Sequence, residues 1–182
     1  TGVGKGAEYG VLLRSGEYVE KARKLTTVVF DKTGTLTKGD PSVTDIKTYN
    51  THTKQNVLKF AGSAEKGSEH PLAEAILNKT KYEDITLESA DSFEALPGRG
   101  IQCTIENKKV LLGNRELMQE RSIPTIKMES EVAALETEGK TVMILAVEGQ
   151  VAGALAAMDT PKESAAPAIA QLKSMNLQVA ML

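Results

Sequence analysis

The sequence predicts an α/β domain interrupted by an insertion that mixes helices with alternating strands. Three observations carry this expectation. Apolar, β-branched strands lie toward both ends, TTVVFD and LQVAML, each beside a helical pattern. The middle carries amphipathic helices and alternating strands instead. The character of the chain changes abruptly at Asp40-Pro41. At 182 residues the chain is long enough for one large domain or two small ones.

The elements follow in order. GEYVEKARKL reads as a short amphipathic helix with Tyr18, Ala22 and Leu25 on one face. TTVVFD reads as a buried strand that delivers Asp31 at its end. VLKFAGSAEKGSEHPLAEAILNKT reads as two helices split between Gly67 and His70, with Pro71 starting the second. GIQCTIENKKVLLG alternates and predicts a hairpin turning at Asn107-Lys108. Asn114 caps a short helix over NRELMQE, and Gly139 closes another over ESEVAALETEGK. TVMILAVEGQVAGALAAMD predicts two strands joined at Gly149. Thr160-Pro161-Lys162-Glu163 has the form of a capping box, with proline at the first helical position. Pro167 then kinks that helix or starts a new one. LQVAML is the final strand.

Composition excludes several classes. Hydrophobic residues make up 41%, which is globular rather than disordered. The formal net charge of -2 points to neither a nucleic acid nor an anionic membrane surface. Cys103 is the single cysteine, which rules out an intramolecular disulfide and suits a reducing compartment. No apolar run reaches bilayer-spanning length. The opening lacks a methionine and the close is apolar, so both ends read as cut from something longer. The opening TGVGKG is neither a full dinucleotide motif nor a P-loop, and no strand precedes it. His52 reads as a surface loop residue and Cys103 as a small core residue.

Asp31 carries the chemistry. Open α/β sheets place ligands at the C-terminal ends of their strands. Here the carboxylate is followed by Lys32, Thr33, Gly34 and Thr35, a cation with hydroxyl and backbone donors. That setting suits a carboxylate that attacks a phosphoryl group and becomes an aspartyl phosphate. Mg²⁺ and positive groups would neutralise the charge spread over the phosphoryl oxygens. The plain alternative is a strand ending in a capped turn.

The string DKTGTLT resembles the phosphorylation signature of P-type ATPases, and the remainder resembles their heavy-metal-transporting subclass. SEHPLAEAI resembles the subclass His-Pro motif, PGRGI its Gly-x-Gly element, GNREL its Gly-Asn element, and DTPKES the family hinge. The opening residues resemble the segment leaving a metal-binding membrane helix. The resemblance implies a partial haloacid-dehalogenase-like, Rossmann-like phosphorylation domain from residues 1–40 and 153–182. It implies an inserted antiparallel-sheet-plus-helices nucleotide-binding domain over 41–152.

The resemblance also implies a site. Asp31 is the nucleophile, Lys32 and Thr35 hold the phosphoryl group, and Asp31 with the Thr33 carbonyl supplies part of a Mg²⁺ site. Glu65, His70, Gly98, Gly100, Ile101, Gly113 and Asn114 fall on ATP-contacting positions, and Lys162 lies at the hinge near the nucleotide. Glu65 can accept a hydrogen bond from the adenine amino group, and His70 can offer its ring beside Pro71. Taken singly, His70 is a helix-entry residue, Gly98 and Gly100 a turn, and Asn114 a cap. Arg99 can reach phosphate or remain a solvated surface arginine. Phosphatases of this class hold a second aspartate two positions after the nucleophile, where this chain has Thr33. Without that local proton acceptor, water attacks the acyl phosphate more slowly, which suits a pump.

The implied parent is an ATP-driven membrane transporter, with copper as the expected ion, zinc, cadmium or cobalt as alternatives, and this region on the cytoplasmic side. Its partners are ATP, the transported metal and the rest of the same polypeptide. Two alternatives stand beside it: a module that only binds ATP, and a soluble phosphatase. The family's further Mg²⁺-binding stretches would follow VAML. Two strands and some helix alone would leave sheet edges and apolar faces uncovered.

Overall fold

The computed structural model describes residues 2–12, 14–68 and 71–182, with side chains at all of these except 2, 3 and 71. The chain forms two compact units. One takes both chain ends, up to Lys38 and from Pro161 onward, and the other spans Gly39–Thr160. Among the described residues no helix is long and apolar enough to cross a membrane.

The Gly39–Thr160 unit is built on a six-stranded sheet. The strands are β2 (Thr37–Thr48, entering from the other unit), β3 (Ser92–Leu96), β4 (Gly100–Ile105), β5 (Lys108–Gly113), β6 (Thr141–Val147) and β7 (Gln150–Pro161), in the order β2-β7-β6-β5-β4-β3. From β3 to β7 every neighbouring pair is antiparallel. Helices α3 (Lys54–Glu65) and α4 (Pro71–Tyr82) cover one face, where Leu58, Phe60 and Ile76 pack with Ile101, Cys103, Ile105 and Leu145. The short α5 (Arg115–Glu120) and α6 (Glu129–Thr137) cover the other, where Leu117, Met118, Val132 and Leu135 pack with Val142, Ile144 and Ala146. The strict alternation along β6 feeds both cores. A bulge between Leu145 and Ala146 leaves Ala152 as an extra residue on β7 and keeps both faces filled.

The second unit is thinner. Helices α1 (Gly2–Glu8) and α2 (Gly16–Ala22) precede β1 (Thr27–Phe30), and α7 (Ala165–Ser174) precedes β8 (Gln178–Met181). β1 and β8 pair in parallel, Thr27 opposite Gln178 and Phe30 opposite Met181. The expectation of a buried β1 is corrected: Val29 is 52% exposed, and neither α2 nor α7 has a buried residue. Two strands have too little surface to enclose a core. Among the described residues, the largest fully buried side chains all lie in the Gly39–Thr160 unit. Each contributes about 1.5–3 kcal/mol.

Three local expectations are also corrected. The β4–β5 hairpin turns at Glu106 and Asn107, whose φ values of 52° and 61° make a type I′ turn one residue earlier than predicted. The capping box does not form: Thr160 and Pro161 continue β7, and α7 begins at Ala165. Pro167 consequently lies in the first turn of α7, where an absent N–H costs nothing.

Candidate functional site

Two places collect the residues singled out in the sequence, one in each unit. In the Gly39–Thr160 unit a cavity of about 390 Å³ is lined by Glu65, Gly98, Gly100, Ile101, Gly113 and Asn114. These come from the end of α3, the β3–β4 turn, β4, the end of β5 and the cap of α5. His70 lies outside the described residues. The remaining wall is mainly apolar, with Leu72, Leu96, Val142 and Met143. Nothing in their local patterns distinguishes these four from ordinary core residues, so sequence reasoning missed them.

Glu65 ends α3 as a buried carboxylate, 2% exposed. Its charge acts on neighbouring Cys103: burial, with Glu65 adding in the same direction, pushes that thiol up to about 11. Cys103 is therefore an inert core thiol at neutral pH. A slot with apolar walls and one buried acceptor suits a flat heterocycle that brings its own N–H donor.

The glycines divide into two roles. Gly100 and Gly113 face each other in the β4–β5 register. A Cβ on Gly100 would sit 2.1 Å from the Leu112 carbonyl oxygen, and one on Gly113 would sit 2.2 Å from the Arg99 carbonyl oxygen. Both are glycine because two backbones cross there. Gly98, with φ 72°, has open space where a Cβ would be. The crossing is tied by Asn114. Its N–H donates to the Arg99 carbonyl at 2.8 Å, and its Nδ2 donates to the Gly98 carbonyl at 3.1 Å. Its Oδ1 accepts from the Leu117 N–H at 3.0 Å as the cap of α5. One asparagine thus locks the 97–100 turn to the helix start. The Arg99 side chain pairs with Glu120 at the surface.

In the other unit Asp31 ends β1 with an exposed side chain. The following loop, Lys32–Leu36, makes a type II turn with Thr33 at ψ 125° and Gly34 at φ 76°. Thr37, 6% exposed, braces it from inside. Its hydroxyl accepts from the Gly34 N–H at 3.2 Å and donates to the Lys32 carbonyl at 3.0 Å. Lys162 braces it from the start of the α7 segment: its N–H donates to the Leu36 carbonyl at 2.8 Å and its Nζ to the Gly34 carbonyl at 2.6 Å. The Lys162 bonds join residues far apart in the chain, and no local pattern announces them.

The loop offers oxygen donors, the Asp31 carboxylate and backbone carbonyls, which fit a hard cation such as Mg²⁺ rather than a soft one. Among the described residues no group of three or more His, Cys, Asp or Glu side chains gathers to hold a metal.

Comparison with known proteins covers both units. The haloacid dehalogenase-like hydrolase family matches residues 25–182. A copper-exporting P-type ATPase of Staphylococcus aureus (strain JH9) is 43% identical over 182 residues, which is all of this chain and 22% of that protein. The chain thus spans about a fifth of the length of that relative. A solved zinc-transporting PIB-type ATPase in the E2·Pi state superposes with a TM-score of 0.86 at 31% identity, over 99% of this chain and 29% of that one. The isolated N-domain of HMA8, a copper-transporting P-type ATPase, gives a TM-score of 0.54 at 28% identity, over 63% of this chain and 98% of that one.

Proposed function

The chain belongs to the haloacid dehalogenase-like hydrolase family, and from that premise we propose that it is the ATP-binding and phosphorylation region of an ATP-driven, P-type heavy-metal transporter. Copper is the ion that the similarity to copper-exporting relatives favours. The membrane part of the same polypeptide carries the ion, and this region works on the cytoplasmic side. The Gly39–Thr160 unit takes the nucleotide-binding role, and the unit formed by the chain ends takes the phosphorylation role.

The observation that carries the reading is the convergence of Glu65, Gly98, Gly100, Ile101, Gly113 and Asn114, separated by up to 49 positions in the sequence, on one cavity. Adenine enters the apolar slot, with Glu65 accepting from its amino group; His70, outside the described residues, keeps the adenine-contacting role that its motif implies. Asn114 holds the Gly98–Gly100 turn against the ligand. At the other place an Asp31 oxygen attacks the γ-phosphorus of ATP. A P–O bond forms to Asp31, the P–O bond to the β-phosphate breaks, and ADP leaves with the electron pair. Lys32 offsets charge on the transferring group, and Thr35 holds its oxygens. Mg²⁺, held in part by Asp31 and the Thr33 carbonyl, supplies further charge neutralisation when bound. Thr33 stands where a phosphatase keeps an aspartate, so the acyl phosphate persists long enough to couple to transport.

Titrating ATP into the 182-residue chain and following backbone amide shifts tests the nucleotide half. The expected result is a set of shifts confined to the α3 end, the 97–101 turn and 113–114. Shifts elsewhere, or none at millimolar ATP, would remove the cavity from the account.

A second reading is favoured by the thinness of the unit around Asp31, where β1 pairs only with β8 and neither α2 nor α7 has a buried residue. By itself this chain binds ATP without completing phosphoryl transfer. Incubation with γ-labelled ATP and Mg²⁺ checks this, since hydroxylamine-sensitive label on the chain alone would contradict it.

A further inference from the structure

Lys162 was singled out by its place in the DTPKES motif, yet its contacts are to the loop that follows Asp31. Two bonds leave this one residue, from its N–H to the Leu36 carbonyl at 2.8 Å and from its ammonium to the Gly34 carbonyl at 2.6 Å. Thr37 holds the Lys32 carbonyl at 3.0 Å. The carbonyls at 32, 34 and 36 are therefore each gripped, and Lys162 grips two of them.

The Gly34 bond matters most. Gly34 sits at φ 76° with open space where a Cβ would be. Glycine permits this turn, but it leaves the following peptide plane weakly constrained. A charge-assisted bond to the Gly34 oxygen removes that freedom, and such bonds are roughly twice as strong as neutral ones. The peptide is planar and trans, so the Thr35 N–H points opposite to the Gly34 carbonyl. With the carbonyl turned to Lys162, the Thr35 N–H is turned away from Lys162 and kept there. An ammonium on the carbonyl also polarises the peptide and strengthens its N–H as a donor.

We infer that Lys162 is a positioning residue for phosphoryl transfer: it fixes the Gly34–Thr35 peptide and, through Leu36, the end of the loop, so that the donors around Asp31 are preset. This rests on the reading of Asp31 as the phosphorylated residue. It gives Lys162 a task distinct from touching the nucleotide.

The test uses the full-length transporter carrying this segment, with γ-labelled ATP, acid quench and four proteins: wild type, D31N, K162M and K162R. K162M keeps the length and removes the donor, whereas K162R keeps a charged donor. The expected result is a phosphorylation rate at saturating ATP reduced about tenfold or more in K162M, the scale of a misplaced reacting group. The ATP concentration for half-maximal rate should stay within about twofold, and K162R should recover most of the rate. A K162M rate within about twofold of wild type would overturn the inference, as would a raised half-saturation with an unchanged maximum, which marks a nucleotide contact.

A second arm reads the loop directly. In the 182-residue chain, K162M should shift the Thr35 and Leu36 amide signals and leave those of Ile101 and Asn114 in place. Unmoved Thr35 and Leu36 signals would overturn the inference even if the full-length variant failed to fold. Label that survives D31N, or its absence from wild type, would instead overturn the Asp31 reading while the loop signals still report on Lys162.

Discussion

Placing a methyl group at Gly100 tests whether the cavity depends on two backbones crossing. In Gly100→Ala the new Cβ would lie 2.1 Å from the Leu112 carbonyl oxygen and 2.5 Å from the Gly113 Cα. Both obstacles are backbone, so β4 and β5 must separate by about 1 Å to restore ordinary contact. Overpacking of this kind costs about 1–3 kcal/mol. The positive φ of 146° adds about 1–2 kcal/mol for a residue with a Cβ. The total, about 2–5 kcal/mol, is a large share of the 5–15 kcal/mol that a typical domain holds. Gly98→Ala is the internal control. It meets nothing within 4 Å, so it incurs only the backbone part, about 1–2 kcal/mol. The separation in Gly100→Ala should also pull Arg99 and Gly98 away from Asn114 and weaken ATP binding beyond the effect of Gly98→Ala. Urea unfolding and ATP calorimetry on both variants provide the readouts. A Gly100→Ala variant no less stable than Gly98→Ala would refute the reasoning, because the crossing would then be free to open.

Two further predictions concern the same unit. His70→Ala should weaken ATP binding by about 1–3 kcal/mol, the scale of losing a buried polar partner, without lowering the unfolding midpoint; unchanged affinity in calorimetry would remove His70 from the site. Asp45 lies 2.7 Å from the Lys140 ammonium, whose hydrogen bond is the main cause holding the Asp45 carboxyl below its usual range. A folded pKa below the unfolded one means the contribution is present above the unfolded value, about pH 4, and is lost as pH falls through the lowered folded value. Lys140→Met should therefore cost stability at pH 7 and flatten the acid side of the stability profile, read from urea midpoints between pH 3 and 7 (about the titration range of a carboxylate); an unchanged profile would show that the pair contributes nothing.

Much of the fold was legible because its helices and inner strands obey local rules. α3, α4, α5 and α6 carry clear periodicity or caps, β4–β5 carries alternation, and β6–β7 shows as two apolar runs joined at Gly149. The two edge strands were not legible. β2 contains Pro41, which argues against a central strand but is tolerated at the edge that β2 occupies. β3 is exposed along most of its length, so it has no apolar face to announce it. The hairpin turn slipped by one because Asn107 looked like its first residue, whereas Glu106 also takes a left-handed conformation. Pairing of Ile105 with Lys108 and Cys103 with Val110 sets that register, and no turn-propensity rule contains it.

The site divides in the same way. Glu65, Gly98, Gly100, Ile101, Gly113 and Asn114 were found through motifs, but their roles were not. Sequence alone treats Gly98 and Gly100 alike, whereas only Gly100 is pressed against another backbone. Asn114 looks like a helix cap and is also the clamp on Gly98. Lys162 supports the Asp31 loop through contacts that exist only once the chain has folded.

The most direct test of the account is the site of phosphorylation. The full-length transporter and its Asp31→Asn variant are incubated with γ-labelled ATP and Mg²⁺, quenched in acid and treated with hydroxylamine, with ATP affinity measured on both. The account predicts hydroxylamine-sensitive label in wild type, none in the variant, and nearly equal ATP affinity. Label retained in Asp31→Asn, or affinity lost together with label, would contradict it.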